Sequence, residues 1–138
     1  MSANTFFLQI IATDKVFFKG PCQKLIIPLL DGEKEVLPHH EDMVIAVAIG
    51  EMRLMNESGE WINGVVGKGF VQIINNRVTL LVDTAERPED IDERRAEEAR
   101  ERAEEQLRQS KSIQEHSHFE ASLARSLASL RLKHKYEI

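Results

Sequence analysis

Phe70-Val71-Gln72-Ile73-Ile74-Asn75-Asn76-Arg77-Val78-Thr79-Leu80-Leu81-Val82 decides how most of the chain folds. Val71 and Ile73 before the asparagine pair, and Val78, Leu80 and Val82 after it, alternate with other residues, as a strand with one buried face requires. Asn75-Asn76 between them is a two-residue hairpin loop, because asparagine tolerates the positive φ that such loops demand. Upstream of this hairpin, short apolar runs suit strands: Thr5 to Thr13, Val16 to Phe18, Cys22 to Pro28, Met43 to Ile49, Glu51 to Met55 and Trp61 to Val66. Turn signals separate them at Lys19-Gly20-Pro21, Asp31-Gly32, Ile49-Gly50 and Glu57-Ser58-Gly59. Many short strands at this spacing predict a β-sandwich or flattened barrel.

Downstream the chain changes character. All seven glycines lie at or before Gly69, and every valine and threonine lies at or before Thr84, so turn-forming and β-branched residues stop together. From Asp90 onward Glu, Arg, Ala, Gln, Leu and Lys dominate, the residues that lose least freedom in a helix. Ala96, Ala99, Ala103 and Leu107 form one helical stripe, and Phe119, Leu123, Leu127 and Leu130 form a second. The polar stretch from Ser110 to His118 between them is expected to reverse the chain. The fold class is therefore α+β: an N-terminal all-β sandwich over 1–86, followed by a C-terminal antiparallel two-helix hairpin over 87–138. An alanine seam buries little area, so the hairpin is expected to be weakly held and to act as a switch.

Length and composition exclude several classes. The chain has 138 residues, enough for one ordinary domain or a small domain with an appendage, and too few for a large multidomain enzyme. No apolar run approaches the ~18 residues that would cross a bilayer. The first residues lack the basic segment and cleavage site of a signal peptide, so a cytosolic location is expected. Cys22 is the single cysteine, which excludes an intrachain disulfide and a cysteine-based zinc site. A net charge of −5 argues against general nucleic-acid binding. Charge also divides the tail: residues 87–109 are net acidic and residues 110–138 net basic.

Chemical motifs are scarce. His39, His40, Glu41 and Asp42 resemble metal ligands in type, but neighbours on an extended segment point to opposite sides and no further set stands at ligand spacing. His116 and His118 fall in the expected reversal and read as solvated. No nucleophile elbow, cysteine-protease pattern or phosphate loop is present, and Gly64, Gly67 and Gly69 lack the Lys-Ser/Thr ending. No catalytic residue and no metal site are assigned, and an enzyme built on the small sandwich is disfavoured. One cluster has chemical promise. Arg95 and Arg102, seven residues apart, project side by side along the alanine seam, where guanidinium groups can grip phosphate oxygens. Arg125 from the second helix can close over the same ligand, and Asp92 or Glu86 can accept from an adenine amine or a ribose hydroxyl. The competing reading is a charged, solvated face held by acid-first pairs: Asp90 with Arg94, Glu98 with Arg102 and Glu104 with Arg108.

Several segments occur together in one known family: Val36-Leu37-Pro38-His39-His40, Gly69-Phe70-Val71, Asn76-Arg77-Val78-Thr79-Leu80-Leu81 and Asp83-Thr84-Ala85-Glu86. With the Ala/Glu/Arg tail, they make the chain resemble the epsilon subunits of bacterial rotary (F-type) ATP synthases from about Thr5 to Lys133. The resemblance implies a β-sandwich attached to the gamma subunit near the ring of c subunits, in the central stalk that couples proton or sodium-ion flow to ATP synthesis. It also implies a helical tail that restrains ATP hydrolysis when extended toward the alpha and beta subunits. Such a chain is noncatalytic, needs no cofactor, and is peripheral at the cytoplasmic side of a bacterial plasma membrane, held there only through the complex.

Some members bind ATP on the folded hairpin, with or without Mg2+, through a motif that reads Ile91-Asp92-Glu93-Arg94-Arg95-Ala96 here. Position by position, the resemblance makes Glu86, Asp92, Arg95, Arg102 and Arg125 the candidate nucleotide site. A further basic position of binding members falls on Ser129, with Arg131 two residues later. It also assigns partner contacts to His39, His40, Glu41 and Asp42 near gamma and the ring, and to Arg131, Lys133 and Lys135 near the catalytic subunits. The family usually has Gly before the histidine and Ala-Pro after it; here the run is His39, His40, Glu41, Asp42, and Glu35 replaces a common glycine. A free-standing ATP sensor that does not associate with gamma is the alternative function.

Overall fold

A computed structural model describes residues 4–109 and 113–135, which fall into two compact units, Met1–Glu86 and Arg87–Ile138. The first unit is made of nine strands: β1 (Phe6–Ile11), β2 (Val16–Leu29), β3 (Gly32–Val36), β4 (Met43–Val47), β5 (Gly50–Asn56), β6 (Trp61–Val66), β7 (Gly69–Ile74), β8 (Arg77–Val82) and β9 (Ala85–Glu86). They hydrogen-bond in the order β4-β7-β8-β1-β2-β5-β6-β9, with β3 also on β2. The long β2 joins the two layers: its first half pairs with β1 (Phe6 opposite Cys22), and its second half with β5 and β3 (Leu25 opposite Leu54 and Val36). Phe6, Leu8 and Ile10 of β1 meet Leu25, Ile27, Met52 and Leu54 in a core closed by Val71, Ile73, Val78 and Leu80. This is the expected sandwich, and burying such side chains supplies its main driving force.

The β7–β8 hairpin forms as its sequence requires. Ile74 pairs with Arg77, Ile73 with Val78 and Val71 with Leu80, while Asn75 and Asn76 take φ values of 49° and 63°. Both central residues are left-handed, the conformation that matches the twist of the flanking strands. Val71, Ile73, Val78, Leu80 and Val82 are all buried.

Two details differ from the sequence reading. Lys19-Gly20-Pro21 is no turn but the middle of β2, where Gly20 faces Leu8 and Pro21 faces Phe7. Gly20 has a φ of 153°, and this Gly-Pro pair lies where the strand leaves β1 for β5. The polar segment Gly32-Glu33-Lys34-Glu35-Val36 is strand β3, although only Val36 is buried. An edge strand has one partner and a solvated face, so its side chains carry no apolar alternation.

The second unit starts with a 3-10 turn at Pro88–Asp90, closed by Ile91 N–H donating to the Pro88 carbonyl at 3.2 Å. Helix α1 (Glu93–Arg108) and helix α2 (Ile113–Lys135) pack against each other. The stretch expected to reverse the chain is already helical from Ile113, and residues 110–112 lie outside the described residues. On α1, Ala103 is buried and Ala96, Ala99 and Leu107 are half-buried, as their spacing predicts. On α2 the expected stripe is partly displaced. Leu130 is buried together with Ala128 and Leu132, whereas Leu127 is 40% exposed.

Candidate functional site

On the sandwich, the candidate loop is tied to the tip of the β7–β8 hairpin. The backbone N–H of His39 donates to Asn76 Oδ1 at 2.6 Å, and Asn76 Nδ2 donates in turn to the Thr5 carbonyl at 2.9 Å. Asp42 Oδ1 accepts from the Asn75 N–H at 2.9 Å, so this acid has a structural task beside any partner contact. His40 Nδ1 lies 2.8 Å from the Glu41 carbonyl. His39 adopts a left-handed φ of 65°. That conformation is available to histidine at a cost of about 1 kcal/mol. Glu41 and Asp42 are exposed, as is His39. Asn75 and Asn76, read from sequence as turn residues alone, are thus the anchors of this loop.

In the tail, Asp92 is the N-cap of α1 and its carboxylate accepts from the Arg95 N–H at 3.2 Å. An aspartate directly before the first helical residue is a capping signal legible in sequence. The ion pairs that form are not the acid-first ones expected. Arg94 pairs with Glu98 at 3.3 Å, Arg100 with Glu97 and with Glu104 at 3.1 Å, and Arg108 with Glu105 at 2.9 Å. Donating to the Glu97 and Glu105 carboxylates pushes the guanidinium pKa values of Arg100 and Arg108 above their ordinary value. Arg95 and Arg102 are exposed and make no ion pair with any described residue. Their helical spacing sets them about 10 Å apart along the axis on nearly the same side.

Arg125 on α2 is half-buried, as is Ser129, while Arg131 and Lys135 are exposed around half-buried Lys133. Glu86 belongs to the other unit, where it pairs with Val65 at the end of the sheet. A groove of about 490 Å3 along α1 is lined by Glu93, Arg94, Glu97, Glu98 and Glu101. Its four carboxylates repel phosphate, and Arg95 and Arg102 are not among its lining residues. Among the described residues no group of His, Cys, Asp or Glu side chains is placed to hold a metal ion.

The β-sandwich domain model of the ATP synthase delta/epsilon chain matches residues 5–88, and its long alpha-helix domain model matches residues 89–133. The chain belongs to the ATP synthase delta/epsilon family. A relative named ATP synthase epsilon chain from Ruminiclostridium cellulolyticum is 43% identical over 126 residues, 91% of this chain and 93% of its own. One from Caldanaerobacter subterraneus is 35% identical over 134 residues, 97% of each chain. Among solved structures, a chain of the Euglena gracilis mitochondrial ATP synthase OSCP/F1/c-ring assembly superposes with a TM-score of 0.74 at 25% identity. The match covers 90% of this chain and 78% of that one. A chain of the Tetrahymena thermophila central stalk and c-ring shares the fold, with a TM-score of 0.60 at 8% identity over 92% of this chain and 95% of its own. Delta/epsilon membership accounts for the sandwich followed by two helices, and no helix among the described residues is long and apolar enough to cross a membrane.

Proposed function

We propose that this chain, a noncatalytic subunit of the ATP synthase central stalk, docks through its sandwich on gamma and the c-ring. Its helical tail restrains ATP hydrolysis, and ATP is a ligand of the folded hairpin. The observation that carries the nucleotide reading is the division among the α1 arginines: Arg94, Arg100 and Arg108 are committed to carboxylates, whereas Arg95 and Arg102 present their guanidinium groups to solvent. A pair of uncommitted guanidinium groups on one helix face suits an extended polyphosphate, and Arg125 on α2 can add to it. Asp92, although engaged as the cap, retains a second carboxylate oxygen for a ribose hydroxyl. Ser129 supplies no charge, so affinity rests on the three arginines.

The His39–Asp42 loop supports the docking reading, because the Asn75-Asn76 turn holds it in one conformation ready for a partner. Arg131, Lys133 and Lys135 would meet acidic surfaces of the alpha and beta subunits in the extended state, a contact weakened by salt. The complex places the chain at the cytoplasmic face of a bacterial plasma membrane. Bias between the folded and extended tail then follows from the difference in ligand affinity between the two states.

The experiment is a titration of the whole chain with ATP, with and without Mg2+, beside the Arg95→Ala/Arg102→Ala variant, read by calorimetry and by hydrogen exchange over residues 90–135. Saturable binding that protects the tail and disappears in the variant is expected. Equal binding by both proteins, or none at millimolar ATP, overturns the nucleotide reading. The inhibitory reading is tested separately, by adding the chain to a complex depleted of it, where hydrolysis should fall.

A further inference from the structure

The ion pairs of α1 described above join residues three or four apart on the same helix, but one contact spans 41 positions. His134 Nε2 in the last turn of α2 lies 2.5 Å from Glu93 Oε1 in the first turn of α1. Opening the hairpin must break it, whereas it need not break the pairs within α1. We infer that Glu93 and His134 form an acid-favoured latch, so that the closed hairpin takes up a proton and opens more readily as pH rises through the histidine range.

The sign follows from what each protonation state can do. An imidazolium beside a carboxylate makes a charge-assisted hydrogen bond, and a neutral imidazole loses the Coulomb attraction. Helix dipoles favour Glu93 at the start of α1 and a cationic His134 at the end of α2, but they do so in the open state too while the helices remain formed. The cross-helix pair, which exists only when the hairpin is closed, therefore adds a difference between closed and open. Other charged groups on the packed elements are Glu89 and Asp90 on the 3-10 turn, Arg94 and Glu97 on α1, and Arg131, Lys133 and Lys135 beside His134 on α2. The acids support a proton on His134, and Arg94 and the α2 bases oppose it. Side-chain exposures of 57% for His134 and 42% for Glu93 limit the effect to that of a solvated pair, about threefold in the opening equilibrium.

This latch concerns closure of the hairpin itself and holds whether or not nucleotide binds, so its test uses the whole chain without ATP. Hydrogen exchange of α2, corrected for the intrinsic rate, is compared at about pH 5.5 and about pH 8. The wild type should lose about threefold protection at the higher pH. H134Q and E93Q should be insensitive to pH and remain at the weaker level. H134K, cationic throughout, should stay at the stronger level at both pH values. A pH response that survives in H134Q, or an H134K variant as weakly protected as H134Q, overturns the latch. Carbon-13 NMR titration of His134 provides a second readout, with a midpoint about half a pH unit lower in E93Q than in the wild type; equal midpoints overturn it as well.

Discussion

Replacing Gly69 by alanine should strongly destabilise the sandwich, whereas the same change two residues earlier should be tolerated. A Cβ on Gly69 would stand 1.9 Å from the Leu81 carbonyl oxygen and 2.8 Å from Val82 Cα, both backbone atoms of β8. Real Cβ atoms essentially never come within 3.0 Å of such neighbours, so β8 would have to retreat by about 1.1 Å. That strand lies between β7 and β1, and its displacement stretches hydrogen bonds toward one or the other. Overpacking costs about 1–3 kcal/mol, and each ladder bond lost adds about 1 kcal/mol, for a central total of about 3 kcal/mol. A Cβ on Gly67 meets instead Asp83 Oδ1 at 1.7 Å and Thr84 Oγ1 at 2.8 Å, the ends of side chains that can swing aside, for about 1 kcal/mol or less. Urea unfolding followed by the single tryptophan, Trp61 on β6, measures both. With a slope of about 1.5 kcal/mol per molar, the midpoint should fall by about 2 M for Gly69→Ala and by under about 1 M for Gly67→Ala. Similar losses for the two variants, or a loss under about 1 kcal/mol for Gly69→Ala, would mean that the β8 backbone yields to the added methyl group.

Two further outcomes test other parts of the molecule. Asn76→Gly keeps the left-handed turn while deleting the bonds to His39 and Thr5, and should destabilise the sandwich by about 1–2 kcal/mol and speed exchange of the His39 amide; unchanged exchange would mean the loop is held otherwise. Burial pushes the Cys22 thiol up to about 11, so the unfolded chain loses this proton first. Stability should then fall between about pH 9 and about pH 11 by up to about 3 kcal/mol, a loss absent in Cys22→Ala, and alkylation of Cys22 below that window should follow the rate of opening.

Features of the fold legible in sequence were those carried by local pattern. Alternation around Asn75-Asn76 specified a hairpin and its buried face, because strand period and turn φ are properties of neighbouring residues. The stop in glycine, valine and threonine marked the change from strands to helices for the same reason. Family membership was also readable, through motifs whose physical basis the structure supplies: Gly69 is small because the Leu81 backbone crosses over it. At the candidate sites, sequence placed Arg95 and Arg102 on one helix face, but that Arg102 goes without Glu98 among the described residues emerged only from the rotamers that gave Glu98 to Arg94.

Tertiary structure decided what depends on distant partners. Gly20-Pro21 could be a turn by composition and is a strand because β1 lies alongside it. Glu33-Lys34-Glu35 has no strand pattern and is a strand because β2 supplies its hydrogen bonds. The tie from His39 to Asn76, and the latch from Glu93 to His134, join residues 37 and 41 positions apart. Local periodicity records which face of an element is apolar, whereas only the packed chain determines which polar group each donor or charge finds when that face is buried.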